Sequence, residues 1–216
     1  MRIVAVALAL TAVFVGAAAG ASDPRSERIR LRPADVALAK SAVLRQDDVG
    51  PDWVRKATRM TNGGQFQCAR FKPDYSSFTI TGQARASFQQ DGAQMDSTVA
   101  VFKTRAQAVA DFRLGARPQL AGCLASQLRQ AFRAYPASFR GTVLSSKMVP
   151  APRLGERSAA YVIKARLSGN GTAMPVWVDV IAVQRGRSIA ALVFTALYSR
   201  LPSRQYYASA VTNRLR

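Results

Sequence analysis

Histidine is absent from this chain of 216 residues, and cysteine occurs only at Cys68 and Cys123. Without imidazole there is no Cys-His or Ser-His-Asp machinery and no histidine metal ligand. Carboxylates are scarce as well: 12 Asp and Glu stand against 31 Lys and Arg, a formal charge of +19. They form no evident pair for glycoside hydrolysis, although carboxylates distant in the chain can meet in space. Asp47, Asp48 and Asp52 in QDDVGPDW lack the spacing and the distal Glu of a calcium loop and read as a solvated turn. The loops GGQ (63–65) and SGNG (168–171) match neither GxxxxGK[ST] nor GxGxxG before a helix, so they read as turns. The chain is therefore expected to be no enzyme, to carry no metal and to need no cofactor.

Its beginning is informative. MRIVAVALALTAVFVGAAAGASDP places Arg2 before an apolar run, Ile3 to Val15, and then small residues through Ala19, Gly20 and Ala21. That order predicts a signal peptide over 1–21, cleaved near Ala21, with the product secreted or held in the cell envelope. The apolar run is short for a bilayer span, and no later stretch is longer. In an oxidising compartment a single cysteine pair predicts a disulfide, Cys68 to Cys123. Of the basic residues 25 are Arg and six are Lys, which fits the codon usage of a GC-rich genome. The densest cluster, RSERIRLR (25–32), falls in a segment read as a charged linker, 22–32. No nucleic-acid motif accompanies the charge, so nucleic acid is not an expected partner. An anionic wall polymer or lipid surface is.

A single domain over 33–216 follows. RPADVALAKSAVL starts near Pro33 with apolar residues at Val36, Ala39, Val43 and Leu44, a helical period stopped by Gly50 and Pro51. Residues 78–88 and 96–104 alternate as strands around the turn signal QQDGAQ. Thr104 and Gln107 fit a capping box for a helix to Leu114. The next helix puts Leu120, Cys123, Leu124 and Leu128 on one face, with Cys123 pointing inward. Four strands follow, GTVLSSKMV, SAAYVIKARL, PVWVDVIAVQ and SIAALVFTALY; the third and fourth join through RGR (185–187), and Asn170 and Gly171 form another turn. SIAALVFTAL is apolar on both faces, as a central strand would be. A last helix starts near Ser203, with Tyr207, Val211 and Leu215 spaced by four. The expected fold is α+β: an antiparallel sheet with helices packed on its faces, an α/β/α sandwich with one disulfide.

The helix into VLRQDDVGPDW, FQC before a hairpin, VAVFKTRAQAVADF with PQLAGCLASQL, the hairpin VDVIAVQRGRSIAALVF and the final helix resemble actinobacterial secreted proteins related to the PknH-type extracellular sensor domain, which are similar in fold to PsbP-like sandwiches. The resemblance implies a sensing, carrier or scaffolding domain without catalysis. This chain departs from it in having no kinase domain, no anchoring cysteine and one cysteine pair.

The expected function is thus a non-enzymatic, monomeric ligand-binding or sensor-like domain for a small apolar or amphipathic ligand or an envelope component. The alternative is a basic protein-interaction module of an envelope complex. Candidate ligand contacts are Trp177, Tyr206 and Tyr207, whose other role is core packing with Trp53, and Arg185 and Arg187, expected to project into solvent from a hairpin tip.

Overall fold

The computed structural model describes residues 25–58, 68, 71–133, 136, 138–169 and 171–216. The leader, the GGQ loop and Asn170 lie outside the described residues. The elements in chain order are β1 (Arg28–Ile29), α1 (Pro33–Ala42), α2 (Gln46–Val49), β2 (Val54–Lys56), β3 (Thr79–Gln90), β4 (Ala93–Phe102), α3 (Arg105–Gly115), α4 (Gln119–Arg133), β5 (Phe139–Val149), β6 (Arg157–Gly169), β7 (Thr172–Arg185), β8 (Ser188–Leu197) and α5 (Arg204–Arg214).

The strands form one sheet in the order β1-β3-β4-β8-β7-β6-β5, with β2 also on β3. All pairs are antiparallel except β1 with β3. Strands run further than the alternation alone indicates because the turns are tight. Asp91 and Gly92 join β3 to β4, and Gly92 takes the left-handed φ of +69° that such a turn requires. The segment read as a charged linker is part of the sheet from Arg28: β1 hydrogen-bonds β3 while β2 covers the far end of the same edge. Pairings of two and three residues leave no periodicity to read, yet they shield an edge that would otherwise invite association.

Helices cover both faces. Phe88 of β3, Met95 of β4, and Leu192 and Phe194 of β8 meet α1 and α5 through Ala39, Ala42, Ala208 and Val211. On the other face Tyr161 and Ile163 of β6 and Val176 and Val178 of β7 meet α4 through Leu120, Cys123, Leu124 and Leu128. The central β8 is buried on both sides, as its sequence predicts. Thr104 caps α3 by accepting from the Gln107 amide at 3.2 Å. The Gln107 side chain leaves the box and instead accepts from the Thr79 amide and donates to the Ser77 carbonyl, tying α3 to the start of β3. Cys68 and Cys123 form the expected disulfide, with Cα atoms 5.5 Å apart.

One glycine sets how closely α1 approaches. A Cβ on Gly82 would stand 2.2 Å from the Asp35 carbonyl oxygen, a backbone atom that no rotamer change can move. Gly82→Ala is expected to cost about 2 kcal/mol by displacing the first turn of α1. Urea unfolding of the variant checks it, and an unchanged midpoint refutes the close packing.

Candidate ligand-binding face

Alternation along β6 and β7 decides what lies opposite α4. Ile163, Ala165 and Leu167 of β6 point at α4, so Lys164 and Arg166 point the other way. On β5 the Ser146 hydroxyl donates to the Ala121 carbonyl of α4 at 2.7 Å, which turns Lys147 to the opposite face. On β7 Val176 and Val178 face α4, which leaves Trp177 and Asp179 beside Lys164. The register completes the array: Lys164 is opposite Trp177, Arg166 opposite Pro175, and Lys147 opposite Val162. Helix α5 packs over β7 and β8 on this side, leaving Lys147 and Arg166 exposed and Lys164 half-buried at the outer strands.

Trp177 holds cations. The Lys164 Nζ lies 5.1 Å from its ring centroid and the Arg200 guanidinium carbon 6.0 Å, within range of a cation–π attraction. Asp179, at 3 % exposure, is the acid on this part of the face. It accepts from Arg200, with Nε at 3.1 Å, and pairs with Arg204 Nε at 3.3 Å. The hydrogen bond to Asp179 pushes Arg200 further up, while burial pulls Arg204 down. One carboxylate shared by two guanidiniums leaves this corner cationic. Arg200 sits at the centre of it, spanning the Asp179 carboxylate and the indole.

The aromatic candidates separate. Tyr207 is buried, stacked on Phe194 at 6.3 Å, and burial raises its phenol; it is a core residue. Tyr206 packs edge-on against Tyr207 at 5.5 Å and is 61 % exposed. Tyr198, which the sequence did not single out, is 65 % exposed and adopts a left-handed φ of +67° as its amide donates to the Pro175 carbonyl at 2.9 Å. A non-glycine residue held there is strained, a condition that clusters at functional sites. Trp53 is core, at 6 % exposure.

Arg187 is tied back to α1 rather than free at the hairpin tip, although its side chain is still 39 % exposed. It forms a two-point pair with Asp35 of α1, Nη2 to Oδ1 at 2.8 Å and Nη1 to Oδ2 at 3.3 Å, and donates to the Phe102 carbonyl. That hydrogen bonding holds the Asp35 carboxyl below its ordinary range against a smaller opposing effect of burial. Arg185 is exposed, with Nη1 3.3 Å from the Thr212 carbonyl near the end of α5. The hairpin tip is clamped because Glu156 also accepts from the Gly186 amide and the Ser188 hydroxyl donates to the Arg216 carbonyl. Asp48 likewise pairs with Arg214 at 2.7 Å rather than standing in a solvated turn. Among the described residues no three His, Cys, Asp or Glu side chains converge to hold a metal, and no helix is long and apolar enough to cross a membrane.

No family model and no curated protein matches the chain. Among solved structures it is similar to the extracellular domain of PknH from Mycobacterium tuberculosis, with a TM-score of 0.45 and 8 % identity over 85 % of this chain and 97 % of that one. At that identity no residue role transfers.

Of the site, Trp177 is the residue that the sequence singles out; Tyr206 is exposed on α5 with its ring against Tyr207. Lys164, Arg166, Arg200 and Asp179 were missed. The signal was present in VIKARL, where two cations at alternate positions interrupt a strand that is otherwise buried.

Proposed function

We propose that this chain is a non-enzymatic, extracytoplasmic binding domain that recognises an acidic polymer of the cell envelope through the open face of β5, β6 and β7. The observation that carries the proposal is the placement of Lys164 and Arg200 at the Trp177 ring, with Arg166 and Lys147 on the same face of β6 and β5, where the neighbouring acid, Asp179, is already shared by two arginines. Cations two residues apart on a strand stand roughly 7 Å apart, and those on adjacent strands about 5 Å apart. That grid suits repeating carboxylate or phosphate groups along an extended chain. The space between the sheet and α1 and α5 is filled by Phe88, Met95, Leu192 and Phe194, so a ligand is better accommodated on the surface than between layers.

The disulfide supports an oxidising location. The carboxylates support a binding role: Asp35, Asp48, Asp96, Glu156 and Asp179 are each engaged by arginine.

Polygalacturonate serves as the acidic probe and dextran as the neutral control. The purified protein is expected to bind polygalacturonate with an affinity that falls steeply between 50 and 300 mM salt, two conditions about 2.4-fold apart in screening length. Lys164→Ala with Arg166→Ala should weaken it about tenfold, the loss of about 1.4 kcal/mol. Equal binding to dextran, or an unchanged affinity of the double variant, sinks the proposal.

A further inference from the structure

A second cation cluster lies at the other end of the sheet. Trp177 is eight residues from Arg185 on β7, and Arg185 pairs with Ser188, which pairs in turn with Val101 at the end of β4. The separation along the strands is roughly 25 Å. A surface pocket of about 170 Å³ opens there, lined by Arg28, Arg30, Arg32, Thr79, Thr81 and Lys103.

Backbone hydrogen bonding sets these residues in place. The amides of Arg28, Arg30 and Arg32 donate to the carbonyls of Phe78, Ile80 and Thr81 at 2.9, 2.9 and 2.7 Å, and the Lys103 amide donates to the Thr79 carbonyl at 2.9 Å. In an extended segment residues two apart share a side, so all three guanidiniums are delivered to the same opening. Among the described residues Arg28, Arg30 and Lys103 have no carboxylate partner. Arg32 lies near enough to Asp35 to favour its ionised form, but that carboxylate is held by Arg187. The Thr81 hydroxyl donates to the Val101 carbonyl at 3.2 Å; the Thr79 hydroxyl makes no such bond among the described residues.

Four cations around one opening repel each other, and among the described residues no carboxylate pairs with Arg28, Arg30 or Lys103; Asp35, which also reaches Thr81, is held by Arg187. An anion entering the pocket relieves that repulsion and finds planar arginine forks matched to tetrahedral oxygens. The pocket is smaller than the 300–1,000 Å³ or so of sites for drug-sized ligands. We infer that the pocket between β1 and the start of β3 binds a single phosphate group, either as a free phosphate or as the phosphate of a lipid headgroup. The site is distinct from the β5–β7 face, and neither depends on the other.

Backbone NMR of the labelled protein, titrated with inorganic phosphate against chloride at equal ionic strength, tests it. Saturable shifts are expected at Arg28 to Arg32, Thr79 to Thr81 and Lys103, and Arg30→Gln with Lys103→Gln should weaken binding at least tenfold. Exposed side chains are altered, so the variant should fold; an unchanged melting temperature verifies that, and Arg28→Gln alone serves if it does not. Sedimentation with phosphatidylglycerol vesicles, against phosphatidylcholine, distinguishes the source. Binding to vesicles but not to free phosphate, lost in the same variant, supports the site with a lipid ligand. Absence of both, or binding that the pocket variants leave unchanged, overturns it. Lys164→Ala with Arg166→Ala should leave phosphate binding intact, so failure here is separable from failure of the polymer-binding proposal.

Discussion

Replacing Cys68 and Cys123 by serine is expected to lower the free energy of unfolding by about 4 kcal/mol. The bond closes a loop between residues separated by 55 positions, and the entropy of an unfolded chain freed from that constraint sets the size of the loss. The native geometry adds to the expectation. Cys123 is 1 % exposed among Leu120, Leu124 and Leu128 on the inner face of α4, the helix that covers β5 and β6. Cys68, beside Phe71, attaches the segment leading into β3 to that helix. For a domain of this size the loss corresponds to a fall in melting temperature of roughly 10 °C. Urea unfolding of the oxidised, reduced and double-serine forms measures it. A difference below about 1 kcal/mol would mean that the unfolded chain is already compact enough to need no crosslink. The β5–β7 face should still bind its probe below the lowered melting temperature, because Cys123 packs on the α4 side of the sheet, opposite that face.

Asp111→Asn is expected to stabilise the protein at high pH and to leave it unchanged at low pH. Asp111 sits on α3 with a buried Oδ1 that has no hydrogen-bond partner among the described residues. Burial, with a smaller repulsion from Glu27, raises its carboxyl from 3.8 to about 8. Its surroundings give no relief: burial also drives the Tyr75 phenol upward and raises the Tyr161 phenol to about 12. Tyr161 donates to the carbonyls of Gly115 and Arg117 and offers Asp111 no proton.

The sign follows from linkage. Below pH 3.8 the folded and unfolded chains both hold the proton, and the group has no effect. From there to about pH 8 the unfolded chain ionises while the folded one does not, so stability falls as pH rises through that window. At 1.36 kcal/mol per pH unit the rise from 3.8 to about 8 corresponds to about 6 kcal/mol, and water reaching the half-buried carboxyl should reduce the measured loss to about 3. Asp35 and Asp48 act in the opposite sense: hydrogen bonding to Arg187 holds Asp35 below its ordinary range, and at Asp48 burial is the largest single effect but is outweighed by hydrogen bonds from Arg214 and the Arg45 amide together, so the stability both contribute is lost as pH falls below about 4. Thermal unfolding of parent and variant from pH 4 to pH 9 separates the effects. Curves that stay parallel across the whole range would show that Asp111 ionises without penalty.

Much of this molecule was determined by its sequence alone. Period-two alternation in β3 and β4, the Asp91-Gly92 and Arg185-Gly186-Arg187 turns, and the doubly apolar run of β8 dictate an antiparallel sheet with a buried centre, because a pleated strand must sort its side chains to two faces. The amphipathic stripe of α4 dictates that Cys123 points inward, and the cysteine count does the rest. Tertiary structure alone decided the charges. Arg187, Arg200 and Arg214 look alike in the sequence, yet each is assigned to a carboxylate 152, 21 or 166 residues away. Among the described residues Arg28, Arg30, Lys103, Lys164 and Arg166 are left with none. Local propensity carries no information about such pairings, since an ion pair depends on through-space distance and burial. The same holds for β1, whose two residues have no pattern of their own and acquire a conformation from the β3 edge they meet. In a chain with many more cations than carboxylates, it is the folded arrangement that selects which cations remain open to a ligand.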